Sequence, residues 1–399
     1  MMNRRFFLRG AALMGCSAAA HPLMTTLTLA AGEKTLGENR LVVIILRGAM
    51  DGLGTVMPVE DPLYAQYRPT LVGLSEPPVA LTGGFALNPA LSGLMPLWQA
   101  GQLGFVHATS TPYRDKRSHF DGQDILEAGT GSDVEAHAVR DGWLNRMLQT
   151  VPGLSAETAY AVGRDALPLL AGPAPVRNWA PDVRLRISPA TERLLEAVYH
   201  DDPLFRDASE EAMTLSAEMG DEAMVPPPKG ATQLKSIEKL ADFAAERLRG
   251  ESRIAAFSQT GWDTHANQTA ALTAALAGLQ RTILRLREGL GEEIWGKTTL
   301  ITMTEFGRTA RENGTKGTDH GTGGLSILAG GAIRGGQIYG PWPGLADSDL
   351  YAGRDLMPTT DIRSWAAWAM AGLYGFDRSL LESAIFPGLD MGPDPRILL

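Results

Sequence analysis

Cysteine is almost absent from this chain: Cys16 is the only one in 399 residues, and it lies in the N-terminal segment. A chain without cysteine beyond its leader has no disulfide and no thiolate ligand, so any metal must rest on imidazole and carboxylate. Positive charge is also scarce. The formal net charge is −9, and all 45 acidic residues lie beyond residue 30, against 33 of the 36 basic ones. That balance argues against a nucleic-acid partner. No GxxxxGK phosphate loop, no dinucleotide fingerprint, no GxSxG elbow and no internal repeat is present. The mature chain is expected to carry no transmembrane anchor, and the 44% hydrophobic content of the full sequence is that of a globular protein.

The N-terminus reads as an address. Arg4-Arg5-Phe6-Phe7-Leu8-Arg9 precedes a small, apolar stretch, Gly10 to Ala20, too short and too weak to span a bilayer. This resembles a twin-arginine export signal over residues 1–30, with Thr28-Leu29-Ala30 as the cleavage site. The expected location is periplasmic or secreted, with the twin-arginine translocase as the partner during export. Leu13-Met14-Gly15-Cys16 is a weaker, alternative lipoprotein box.

Several β-branched apolar runs have the length and composition of strands buried on both faces: Leu41 to Leu46, Leu103 to His107, Ala159 to Val162, Arg253 to Ser258, Thr298 to Thr304 and Leu325 to Leu328. Helical patterns lie between them, which predicts an α/β fold with a mostly parallel central sheet and helices on both faces. Residues 31–399 read as a single domain, with a mostly helical insertion or cap around 165–250. Ligands of such sheets bind beyond the carboxyl ends of the strands. Asp51 follows the first strand, Asp263 and His265 follow the fourth, and Glu305 and Arg308 follow the fifth. Asp319 and His320 lie just before the last. Asp263 and His265, two apart on an extended segment, can reach one ion, or can be a polar loop before the helix at 267–288. Asp51 also suits a simple Asp-Gly turn. Ser118 opens a helix and reads either as its cap or as a nucleophile placed where backbone N–H groups converge. His119 and Asp121, which follow it, read equally well as solvent-facing helix residues.

In order along the chain, the export signal, RGAMDGL, the loop into RSHFD, GWDTH, MTEFGRT, GTDHGTGG and PTTDIR resemble the domain of unknown function 1501 family of exported bacterial proteins. The resemblance covers essentially the whole mature chain. That family is similar in turn to the alkaline phosphatase and sulfatase superfamily, so an alkaline phosphatase-like fold is expected. The resemblance implies one or two divalent ions (Zn, Mn, Mg or Ca), held by Asp51, Asp263, His265, Glu305 and His320. It also implies Ser118, or water, as the attacking group and Arg308 as a partner for a phosphate or sulfate oxygen. The adjacent Asp-His pair of the superfamily can be Asp319-His320, with Glu305-Phe306 standing where an imidazole is usual. The implied activity is hydrolysis of phosphate or sulfate esters, on a small-molecule or glycan substrate. The alternative is a secreted binding or assembly protein that keeps the fold and perhaps one structural metal.

Overall fold

The structure, a computed structural model, describes residues 36–131, 139, 141–163, 165–180 and 229–399. The expected leader with Cys16 and most of the expected helical insertion therefore lie outside the described residues. Residues Leu36–Leu399 form one compact unit.

Its centre is a nine-stranded sheet built from β1 (Arg40–Leu46), β2 (Leu103–Ser110), β3 (Ala159–Val162), β4 (Arg177–Trp179), β5 (Ile254–Gln259), β6 (Thr298–Met303), β7 (Gly324–Ala329), β8 (Ile338–Tyr339) and β9 (Thr360–Asp361). The spatial order is β8-β2-β7-β6-β1-β5-β3-β4, with β9 also paired to β2. β1 runs parallel to both β5 and β6, in register Val43 with Ala256 and Ile301. Alternate residues of β1 serve opposite faces. Leu41, Val43 and Ile45 join one core and Val42, Ile44 and Leu46 the other, which is why the strand reads as an unbroken apolar run.

Helices cover both faces. Helix α1 (His119–Ala128) contributes Leu126, α2 (Trp143–Gln149) contributes Trp143 and Met147, and α5 (Ile362–Tyr374) contributes Trp365 and Met370 to the first core. On the other face, α3 (Lys229–Arg249) packs along α4 (Gln268–Trp295). Leu272, Leu276, Leu279, Ile283 and Leu286 of α4 are its apolar stripe, and Gly291 at φ 69° breaks the helix near its end. None of the described helices is long and apolar enough to cross a membrane.

One strand departs from the expected arrangement. β7 is antiparallel to both neighbours, β2 and β6. Its beginning, not its end, therefore sits at the carboxyl edge of the parallel strands. His320 reaches that edge because it precedes a strand running the other way.

Candidate metal centre

Four loops meet at this edge. The segment after β5 carries Asp263 and His265, the loop after β2 ends in Ser118 and His119, and the segment after β6 carries Glu305 and Arg308. The segment before β7 carries Asp319 and His320. The last two are held as a small ladder: Thr309 N–H donates to the Asp319 carbonyl (2.9 Å), Gly321 N–H to Gly307 (2.8 Å) and Gly307 N–H to Thr322 (2.9 Å). The ladder is close enough to require glycine. A Cβ on Gly307 would lie 1.9 Å from the Gly323 carbonyl oxygen.

Imidazole nitrogens converge here. His320 Nε2 lies 2.9 Å from His119 Nε2 and 2.9 Å from His265 Nε2. Asp263 Oδ1 is 3.2 Å from His320 Nε2 and 3.0 Å from His265 Nε2, and its Oδ2 is 3.5 Å from His119 Nε2. Donor atoms of His119, Asp263 and His320 all lie within 4.8 Å of one another. His265 Nε2 touches two members of that group, 2.9 Å from His320 Nε2 and 3.0 Å from Asp263 Oδ1, and so can join them.

The far nitrogen of each ring fixes its tautomer, because each faces an acceptor. His119 Nδ1 meets Glu305 Oε1 at 2.7 Å, His320 Nδ1 meets the Arg117 carbonyl at 2.9 Å, and His265 Nδ1 meets Asp319 Oδ1 at 3.2 Å. Each Nδ1 therefore carries the hydrogen and donates it. Every neutral ring then turns an Nε2 lone pair toward the others and toward a carboxylate. Lone pairs 2.9 Å apart repel. A proton between His119 and His320 still leaves His265 facing His320 without one, whereas one cation satisfies the converging atoms together. Outer acceptors that orient ligating imidazoles are the usual surroundings of a metal.

Electrostatics follow the same geometry. The hydrogen bond to Glu305 holds His119 above the ordinary imidazole range, against the opposing effect of burial. Burial holds His320 below it. For Asp263, burial is outweighed by Arg308, whose guanidinium donates to Oδ1 at 2.6 Å, and the carboxyl is held low. Glu305 is fully buried. There, too, burial is outweighed by donors, His119, Gln123 Nε2 at 3.0 Å and Gly48 N–H at 2.9 Å, and the group stays ionised. Phe306 lies flat against His119, 5.1 Å between ring centres, and fixes its plane.

The expected site residues divide accordingly. Asp263, His265 and His320 come together. Glu305 does not face the convergence; it stands behind His119 as the acceptor that orients it. Arg308 is buried and committed, with Nε on Thr318 Oγ1 at 3.1 Å and a second nitrogen on the Thr318 carbonyl, so it positions Asp263 and is not free for a substrate oxygen. Asp51 lies apart: Arg68 spans both its oxygens at 2.5 and 3.0 Å, and Gln268 donates to one of them at 2.5 Å. With both oxygens engaged in a buried ion pair, Asp51 has no place in the cluster. Ser118 caps α1, accepting from Asp121 N–H at 3.4 Å. His119 was legible only as a possible solvent-facing helix residue. It lies nine residues beyond β2, at the start of α1, so strand-end position did not single it out.

The convergence is open to solvent on one side. The side chains of Asp263 and His265 are 43% and 45% exposed, while His119 and His320 are 24% and 21% exposed.

Residues 107–377 match the family model described as Protein of unknown function (DUF1501). No curated protein matches the chain in sequence. Among solved structures it is similar to a protein in the alkaline phosphatase superfamily from Vibrio parahaemolyticus, at 11% identity, 86% of this chain, 68% of that one and a TM-score of 0.42. It is also similar to the PsFucS1 sulfatase from Pseudoalteromonas sp. (13%, 91%, 74%, 0.42) and to the C-terminal periplasmic domain of EcEptC from Escherichia coli (9%, 90%, 88%, 0.40).

Proposed function

This chain belongs to the DUF1501 family, and we propose that it is an exported, metal-dependent hydrolase of phosphate or sulfate esters. One observation carries the reading: His119 Nε2, His320 Nε2 and an Asp263 oxygen converge, each oriented from behind, on a point with a solvent-facing side. Two imidazoles and a carboxylate without thiolate suit zinc or manganese. Three protein ligands with room for a fourth partner are the pattern of catalytic rather than structural sites. When bound, the ion would supply Lewis acidity toward an ester oxygen.

The chain's own residues supply the rest. Arg308 and Thr318 hold Asp263 in one orientation, and Glu305 and the Arg117 carbonyl hold His119 and His320. His265 is the mobile-proton candidate. Its Nδ1–H is held by Asp319 and its Nε2 faces the convergence, so it can take a proton from attacking water and return it to the leaving oxygen. Ser118 stands beside His119 but is engaged as a helix cap, which makes water the favoured attacking group. The twin-arginine leader would deliver the folded protein to the periplasm, where a small-molecule or glycan ester is the expected substrate.

One contact favours a second reading, a non-catalytic binding protein with a structural ion. His265 Nε2 is close enough to His320 and Asp263 that a small shift would make it a fourth ligand and close the site. The two readings part on His265→Gln. In a hydrolase, metal content survives and turnover of aryl phosphate or sulfate esters falls steeply. If His265 is a structural ligand, the metal leaves with the ring and no turnover exists to lose.

A further inference from the structure

Trp342, set between two prolines in the turn-rich run from Gly340 to Gly344, has no part in the metal centre. With Phe85 it lines a cleft of about 370 Å³, drawn from segments 58–63, 83–85 and 342–349, that shares no residue with the convergence. The two rings stand at 89° to each other, 5.2 Å between centres. His107 is buried, lies outside the lining and packs against both rings, 5.3 Å from Phe85 and 5.0 Å from Trp342. Burial keeps that imidazole neutral, so no positive charge backs the aromatic corner. Ring faces of this kind attract a weakly hydrated cation.

The charges of the lining have one sign. Glu60, Asp61 and Asp349 bring carboxylates, and no Lys, Arg or His lines the cleft. Among the described residues, no donor meets the Glu60 carboxylate, Asp349 takes only Ser348 Oγ at 3.2 Å, and Asp61 caps Leu63 N–H through one oxygen at 3.0 Å. Two of these groups are placed by glycines of the lining. Glu60 Oε2 would lie 2.8 Å from a Cβ on Gly84 and Asp349 Oδ2 2.8 Å from one on Gly344, and these glycines sit at φ 78° and 91°. Arg311, paired two residues away from Asp349, is already engaged: it holds Asp347 at 2.5 Å and lies over the Tyr67 ring at 3.9 Å. Carboxylates thus stand around an aromatic corner with no lining cation to offset their repulsion. The rings favour alkyl groups on nitrogen over a bare metal ion, which demands oxygen on every side.

We propose that this cleft binds an alkylated ammonium group, its charge facing Glu60 and Asp349 and its alkyl substituents lying against Trp342 and Phe85. The site stands apart from the hydrolase reading and needs no metal.

Choline is the probe, and dimethylbutanol, its neutral carbon isostere, is the control. Binding of each is measured by calorimetry at low ionic strength on the full mature protein, on Glu60→Gln, on Asp349→Asn and on Trp342→Leu, with the thermal midpoint recorded for each. The parent should bind choline saturably, with or without zinc, and dimethylbutanol roughly tenfold more weakly. Each folded variant should bind choline several-fold more weakly, and Glu60→Gln, at an exposed position, should keep the parental midpoint. No saturable choline binding by the parent, or equal affinity for choline and dimethylbutanol, overturns the proposal. Parental choline affinity in both Glu60→Gln and Asp349→Asn does the same. So does a parent that takes up calcium in place of choline and loses it in Glu60→Gln, because the cleft is then a metal site.

Discussion

Replacing Glu305 by Gln tests the geometry at one atom. Glu305 Oε1 accepts from His119 Nδ1 at 2.7 Å, from Gly48 N–H at 2.9 Å and from Gln123 at 3.0 Å, in full burial. The amide keeps the shape and one acceptor oxygen but removes the charge. A hydrogen bond to a charged group contributes about 1.5–3 kcal/mol and a neutral one about 0.5–1.5 kcal/mol. The ring should therefore lose roughly 1–1.5 kcal/mol of orientation and basicity. Substitutions at outer partners of metal-bound His typically weaken metal binding by about 10–100-fold, or about 1.4–2.8 kcal/mol. We expect zinc affinity at pH 8, measured by competition with a chromogenic chelator, to fall about tenfold or more. Metal-free stability should also fall, because donors that outweigh burial hold the carboxylate ionised and each of them loses a charged acceptor. The pH dependence gives a second, signed test. The raised pKa of His119 means that protons compete with metal from above the ordinary imidazole range downward. Without the carboxylate that pKa drops, so the acid loss of binding should begin at lower pH in the variant although its plateau affinity is weaker. Unchanged affinity together with an unchanged pH profile would refute the placement of His119 as a ligand.

Other consequences are as specific. Asp51→Asn should destabilise the fold by about 3–5 kcal/mol in urea titration, since it strands the buried Arg68, yet leave metal stoichiometry intact. Gly307→Ala forces a methyl against the Gly323 carbonyl and should cost at least about 2 kcal/mol while weakening metal binding through His320. His107 is buried between the Val56 carbonyl and Ala108 N–H, and burial pushes its pKa down to about 4. The unfolded chain binds a proton there below about pH 6.5 and the folded chain does not until about pH 4. Stability should therefore fall by about 3 kcal/mol as pH drops across that interval. In urea titrations at several pH values, that component of the slope should be missing from His107→Gln.

What could be read from the sequence was what local pattern encodes. Strands buried on both faces announce themselves as β-branched runs, and Asp263, His265 and His320 stand out as scarce imidazoles and carboxylates near strand boundaries. Direction is not encoded in an apolar run, so nothing in Leu325 to Leu328 showed that β7 runs backward. Pairings across distance were equally hidden. Asp51 resembles a strand-end ligand until Arg68, from a turn-rich segment, is seen closing on both its oxygens. Glu305 and Arg308 lie in the right loop, but whether they face the convergence or support it from behind depends on His119 and Asp263, 186 and 45 residues away. His119 was the residue whose role could be seen only once its helix had been placed beside His320.

The most direct test of the central claim is the metal content of the purified, folded protein by elemental mass spectrometry, compared with His119→Gln. One equivalent of divalent metal in the parent, absent from the variant, is the predicted result. A parent that binds metal undiminished in His119→Gln, or that takes up none when offered zinc or manganese, would contradict it.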